Sequence, residues 1–179
     1  MGQTITISGG IGSGKSTVAK MLAQKLGWQY YSTGMAQRQI AKEMGITTLE
    51  LNALSVKDKS IDERIDAVFK NPPWGDQNCV VDSRLAFHFV PKSFKVCLTV
   101  RDEVAGKRIF HDTLRSGEQK YHAISEATKA AAERHQLELK HFKKNYELDI
   151  DNKDNFDLVV DTTHLSPEQV CQVILAGLN

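Results

Sequence analysis

The residues whose types and spacing could do chemistry come almost at once: Gly9-Gly10-Ile11-Gly12-Ser13-Gly14-Lys15-Ser16-Thr17. They satisfy the phosphate-binding pattern G-x-x-x-x-G-K-[ST], with Gly9 and Gly14 at the fixed positions. Small residues let successive backbone N–H groups turn inward around a phosphate, a nest that a loop of larger residues would obstruct. Lys15 can reach β- and γ-phosphates, and Ser16 can offer a hydroxyl to Mg²⁺. The chemistry is that of a nucleoside triphosphate held by its phosphates. The bland reading, a glycine-rich turn that binds nothing, leaves the lysine, the hydroxyl and their register unexplained.

Such a loop works only between a strand and a helix, and both are legible. Thr4 to Ser8 alternate and are β-branched, which predicts a strand running into the loop. Beyond it Val18, Met21, Leu22 and Leu26 recur at helical spacing, with Gly27 as a stop. A helix that starts at the loop adds roughly half a positive charge at its N-terminus.

A second polar corner follows Trp28 to Tyr31, which read as a short strand. It is Ser32-Thr33-Gly34, and open α/β sheets bind ligands at corners of this kind. A helix is predicted from Met35 to Met44, with Arg38 near its start. Two more are predicted over Thr48 to Leu54 and Ile61 to Phe69, and Asn71-Pro72-Pro73-Trp74-Gly75 then breaks the chain. Arg64, among the charges of the last of these helices, reads as part of a solvated face. Cys79-Val80-Val81 is a buried strand ending in Asp82-Ser83-Arg84. An acidic residue there can hold the Mg²⁺ shell, through water, and Arg84 would face an anion at the same sheet edge. The competing reading is a surface turn closed by an Asp82–Arg84 contact.

Phe94 to Val100 is a nearly continuous apolar strand of the parallel interior kind. Arg101-Asp102-Glu103 opens a helix that carries Lys107, Arg108 and Arg115. A turn at Ser116-Gly117-Glu118 precedes one long helix from Ile124 to about Leu148, with Arg134 in its first half. The stretch from Lys107 to Arg134 is polar and poor in large hydrophobes, which suits a mobile flap. Leu158-Val159-Val160 is the last strand, and Ser166-Pro167-Glu168-Gln169 is a capping box with proline at N1. Five strands alternating with helices predict a parallel α/β sheet with right-handed crossovers.

Composition narrows the classes. The chain has 179 residues, enough for one domain with a substantial core. A net charge of +1 argues against a wholesale polyanion binder such as a nucleic-acid coat. Three cysteines without metal-like spacing, two inside apolar runs, read as reduced buried thiols of a cytoplasmic protein. Six histidines show no H-x-x-x-H or Cys/His grouping, so no protein-ligated zinc is expected. No G-x-S-x-G elbow, no run of ~18 apolar residues and no leader segment is legible, which leaves no membrane partner to expect.

Taken together, the loop, Ser32-Thr33-Gly34 with Arg38, Asp82-Ser83-Arg84-Leu85-Ala86, Arg134 and Asn145-Tyr146-Glu147-Leu148-Asp149-Ile150 resemble the cytidylate kinases, in particular the compact archaeal-type branch. The likeness runs over essentially the whole chain in the same order. It implies a P-loop NTPase-type three-layer sandwich whose five-stranded parallel sheet has the order 2-3-1-4-5, in one domain over 1–179. It also implies a helical monophosphate-binding segment over about 33–74 and a lid over about 107–134. The implied reaction moves the ATP γ-phosphate to CMP or dCMP with Mg²⁺, in a monomer that takes small nucleotides only.

On that resemblance Gly9 to Thr17 hold the ATP phosphates, Lys15 and Arg134 act on the transferred group, and Ser16 ligates Mg²⁺ with Asp82 behind it. Ser32 and Gly34 would contact the acceptor nucleotide, and Arg38 and Arg84 its phosphate. Arg108 stands at the lid's entry as a weaker match. The chain departs from the branch at Asp82-Ser83, where Glu-Gly is usual, at Gln37, where an aromatic is usual, and at His135, where an acid is usual. Two alternatives stay open: a P-loop kinase for another phosphorylated acceptor such as AMP or UMP, and a non-catalytic ATP-binding regulatory module. A GTP switch is disfavoured because no N-K-x-D occurs.

Overall fold

A computed structural model describes residues 2–55, 58–112 and 121–178, apart from the side chains at 48, 49, 52 and 53. The strands are β1 (Thr4–Gly9), β2 (Gln29–Ser32), β3 (Cys79–Asp82), β4 (Phe94–Thr99) and β5 (Leu158–Asp161). All pair in parallel in the order β2-β3-β1-β4-β5. The helices are α1 (Lys15–Leu26), α2 (Thr33–Glu43), α3 (Thr48–Ser55), α4 (Lys59–Asp66), α5 (Ala86–Phe89), α6 (Asp102–His111), α7 (Ile124–Tyr146) and α8 (Pro167–Gly177). The sheet order and the alternation agree with the expectation drawn from the sequence.

The two-residue period of the strands sorts the core into two faces. Ile5, Ile7, Val80, Val96, Leu98 and Val160 pack with Val18, Ala19 and Leu22 of α1 and Val170, Cys171 and Ile174 of α8. On the other face Cys79 and Val81 meet Trp74 and Ala86. Leu22 and Ile174 are fully buried, and each such side chain stabilises the fold by about 1.5–3 kcal/mol. This burial fixes β1 at the centre of the sheet, and therefore fixes the loop at its C-terminal end.

Residues 33–66 have a small core of their own, in which Ile40 and Ala41 of α2, Leu51 of α3, and Ile61 and Ile65 of α4 are buried together. The helix predicted from Met35 starts at Thr33, so Gly34 lies in its first turn and not in a flexible corner. The helix predicted over Ile61 to Phe69 starts at Lys59, where Asp58 caps it through the Ser60 N–H, and ends at Asp66 in a 3₁₀ turn, Ala67–Phe69. The capping box of α8 is present in both halves, from the Ser166 side chain to the Gln169 N–H and back.

The long α7 ends at Glu147, which adopts a left-handed φ of 57° without being glycine. Only Ala127 of that helix is buried, and Leu137 is exposed, which explains the irregular apolar spacing. Arg115 and the Ser116-Gly117-Glu118 turn lie outside the described residues.

Candidate active site at the C-terminal edge of the sheet

The glycine loop is held from outside. Gly12 has φ 77°, and a Cβ there would lie 2.8 Å from Ala105 Cα of α6, so only glycine fits between loop and helix. Gly14 has φ 87° and starts α1 from the left-handed region. Arg108 donates to the Gly12 carbonyl at 3.2 Å and to the Thr162 carbonyl at 2.7 Å. The buried Thr162 hydroxyl stands 3.1 Å from the Ser13 carbonyl and 3.0 Å from that of Thr99, and it accepts from Arg108 at 3.0 Å. In a trans peptide the N–H points opposite to its C=O. With the Ser13 carbonyl turned to Thr162, the Gly14 N–H faces away from it, as a phosphate nest requires.

Lys15 is folded over the loop, its Nζ 3.2 Å from the Gly10 carbonyl, which also accepts from the Ser13 hydroxyl at 2.8 Å. Ser16 donates to Asp82 Oδ2 at 2.6 Å. A serine hydroxyl whose hydrogen is committed to a carboxylate keeps its oxygen lone pairs for a cation, and a charged carboxylate stands directly behind it. The residues present therefore fit a Mg²⁺ held through Ser16 with Asp82 in the surrounding shell. Among the described residues no cluster of three His, Cys, Asp or Glu side chains could ligate a metal unaided.

Asp82 is 5% exposed, which rules out the surface-turn reading of Asp82-Ser83-Arg84. Its Oδ2 also accepts from Tyr30 Oη at 3.3 Å. Burial, and next the Asp82 charge, push the Tyr30 phenol up to about 12. The register sets Ser32 of β2 level with Asp82 of β3, and Asp82 level with Ile7 of β1, so three strand ends meet there. The Ser8 hydroxyl donates to the Arg84 carbonyl at 3.1 Å, which places Arg84 beside the residue that precedes the loop.

Arg84 Nη1 is ion-paired with Glu138 Oε2 of α7, and Arg134 Nε donates to Glu138 Oε1 at 3.3 Å. The Arg84 and Glu138 side chains are 16% and 18% exposed, against 45% for Arg134. Burial pulls the Arg84 guanidinium below its ordinary value, and the Glu138 charge offsets this. Arg38 is exposed and lines a cleft with Lys20, Tyr30, Met35, Gln39 and Lys42. Gly34 is adjacent, a Cβ on it falling 3.5 Å from Arg38 Nη1. Arg64 pairs with Glu43, in keeping with a solvated face.

Three features have no local signature in the sequence. One is a cleft of about 340 Å³ between the loop, α6 and the β5–α8 turn, lined by Gly12, Thr17, Arg108, Ile109, Thr162 and Pro167. Another is the hold of Glu138 on Arg84. The third is a polar junction of α4 with α7. There Asp62 accepts from His141 at 2.9 Å and from Asn145 at 3.2 Å, and Tyr146 donates to Asp66 at 2.6 Å. Each joins residues more than 50 positions apart in the chain, with nothing periodic to announce it.

Burial lifts Asp66 from its ordinary 3.8 to about 6. The folded state thus holds this proton more tightly than the unfolded chain. The resulting stability is full at low pH and is lost as pH rises through about 6. Asp66→Asn should therefore raise Tm relative to wild type more at pH 8 than at pH 5, as read by thermal melts of both proteins. A pH-independent difference would mean Asp66 does not titrate in this range.

The site and sheet define a P-loop kinase fold. Solved structures share it: an uncharacterized protein from Eubacterium ventriosum at TM-score 0.70 and 16% identity, covering 97% of this chain and 96% of that one. Shikimate kinase from Acinetobacter baumannii, in complex with shikimate, follows at TM-score 0.63 and 16% identity, covering 99% and 93%. The chain belongs to the cytidylate kinase-like family, whose model matches residues 4–164.

The cytidylate kinase of Ignicoccus hospitalis is 37% identical over 95% of this chain and 95% of that protein. That of Natronomonas pharaonis is 33% identical over 98% and 88%. An S-adenosylmethionine-dependent nucleotide dehydratase of Lacinutrix mariniflava is 37% identical over 96% of this chain, which spans only 35% of that longer protein.

Proposed function

We propose that this protein is a nucleoside monophosphate kinase that transfers the ATP γ-phosphate to CMP or dCMP. The observation that carries the reading is the pair of arginines, Arg84 and Arg134, joined through Glu138, with the Arg84 backbone beside Ser8 at the head of the glycine loop. A module that only binds ATP needs the loop alone; two further guanidiniums held together provide one for the phosphate of an acceptor and one for the group in transfer. The names of the archaeal relatives support cytidylate as the acceptor.

Residues 9–17 would cradle the ATP phosphates, and the cleft bounded by Arg108 and Thr162 would take the rest of the donor nucleotide. Mg²⁺, held through Ser16 with Asp82 behind it, supplies positive charge to the phosphate oxygens. Residues 33–74 would form the acceptor-binding segment, with Ser32 and Gly34 at the nucleotide and Arg38 and Arg84 on its phosphate. Residues 107–134 would form the lid. Phosphoryl transfer asks little covalent chemistry of a protein, only alignment of two nucleotides and neutralisation of the equatorial oxygens. Guanidiniums suit the acceptor because they grip a phosphate bidentately. No described helix is long and apolar enough to cross a membrane, and we place the enzyme in the cytoplasm as a monomer acting on small nucleotides.

A second reading keeps the reaction and changes the acceptor, to AMP, UMP or another nucleotide. It is favoured by Asp82-Ser83 at the acceptor edge and by the dehydratase relative, whose name specifies a nucleotide without a base. ADP production from ATP-Mg²⁺ against a panel of monophosphates decides between them. CMP- or dCMP-dependent ADP is expected, and no acceptor dependence at all would leave only a binding module. Arg38→Ala and Arg84→Ala should each weaken monophosphate binding by roughly 1.5–3 kcal/mol, the range of charge-assisted hydrogen bonds, with ATP affinity nearly unchanged. Equal losses for both nucleotides would remove these arginines from the acceptor side.

A further inference from the structure

We propose that Glu138 is an internal occupant of the acceptor-phosphate site, a carboxylate that holds Arg84 and Arg134 together until a substrate phosphate displaces it. This rests on the assignment of those arginines to the phosphates. The two oxygens of Glu138 are divided between them, Oε2 to Arg84 and Oε1 to Arg134. Phosphate oxygens and carboxylate oxygens accept from a guanidinium in the same way, so Glu138 stands on Arg84 in the place of the acceptor phosphate and on Arg134 in the place of the group in transfer.

The charge count favours exchange. A dianionic acceptor phosphate attracts the Arg84 guanidinium more strongly than the single charge of Glu138, while Asp82 acts on Arg84 as well. Arg84 is nearly buried, and a guanidinium withdrawn from water needs a counter-ion. Glu138 supplies one from α7, and can give it up when substrate arrives.

The exchange has a functional meaning. While Glu138 holds Arg134, that arginine is kept from the γ-phosphate of bound ATP, so water finds the donor with one positive charge fewer around it. Acceptor binding releases Arg134 at the moment a proper nucleophile is in place. Glu138 is thus a positioning residue that couples acceptor occupancy to the charge available for transfer. It also reduces the apparent affinity for acceptor, because only the fraction of molecules with the arginines released is competent to bind.

Glu138→Gln keeps the shape and removes the charge. Steady-state kinetics should show an acceptor KM lowered about three- to tenfold, together with ATP hydrolysis in the absence of acceptor raised by a similar factor. Inorganic phosphate, titrated into nucleotide-free protein at low salt by calorimetry, should bind more tightly in the variant. Glu138→Asp withdraws the carboxylate by one methylene and should move all three readouts in the same direction by less; it decides the matter if the glutamine variant does not fold. A purely structural ion pair predicts the reverse, an acceptor KM raised as the arginines lose their alignment. Unchanged or raised KM with unchanged hydrolysis and phosphate binding overturns the proposal. Failure of the kinase reading looks different, since wild type would then make no acceptor-dependent ADP while the phosphate titration still judges Glu138.

Discussion

Lys15→Ala is expected to reduce phosphoryl transfer by about 10²–10³-fold or more, the scale on which one charge aimed at a transition state acts. The substitution removes no part of the apolar core. Lys15 stands at the first position of α1, half exposed, while the helix buries Val18, Ala19, Leu22 and Ala23 on another face. Its contact with the Gly10 carbonyl is a hydrogen bond inside the loop and not a packing contact. Tm should therefore stay near the wild-type value, as surface changes usually leave it. Coupled-assay turnover and a thermal melt of the same preparation check both halves. A variant with more than a tenth of wild-type turnover would show that the loop is not the donor site.

Arg134→Ala is expected to lower kcat at least about a hundredfold with small changes in either KM, the pattern of an interaction made only in the transition state. An arginine that supplies charge to a transferring phosphoryl group is worth about 10³–10⁵ in rate. The competing role is concrete, since Arg134 does pair with Glu138 one helical turn away, and such a pair contributes only ~0.3–0.5 kcal/mol. The two roles differ by orders of magnitude in kcat. Arg134→Lys should recover little, because an ammonium cannot reproduce the guanidinium fork. A kcat within fivefold of wild type would assign Arg134 to the helix surface. Arg108, already fixed to the Gly12 carbonyl, would then be the arginine to test.

What could be read in the chain alone follows from how local each feature is. The glycine loop, the capping box at Ser166 and the buried strand ending in Asp82 are each defined within about ten residues, and a residue-by-residue pattern finds them. The sheet order was legible only through the family resemblance, because strand neighbours such as Thr4 and Cys79 are far apart in the chain. Tyr30 shows the limit. It lies in a short strand with no pattern of its own in the sequence, yet its hydroxyl meets Asp82 across 52 positions. Glu138 lies four residues from Arg134, within helical reach, but its hold on Arg84 joins positions 54 apart in the chain. Sequence periodicity reports which face of an element is apolar; it does not report which distant element a polar side chain meets.

The three buried thiols give this enzyme a built-in clock. Cys79 in β3, Cys97 in β4 and Cys171 in α8 lie in the core, and burial raises all three, Cys79 to about 12. A thiol so held is protonated at neutral pH and shielded from reagents, and the thiolate is the reactive form. Oxidants and alkylating agents therefore have no thiolate to attack in the closed protein. Two of the thiols belong to strands flanking β1 and the third to the helix over it, so labelling them requires the central sheet itself to come apart. Alkylation counts global openings, not the local motions of a working kinase. Conditions that inactivate the protein through its thiols are conditions that have already unfolded it.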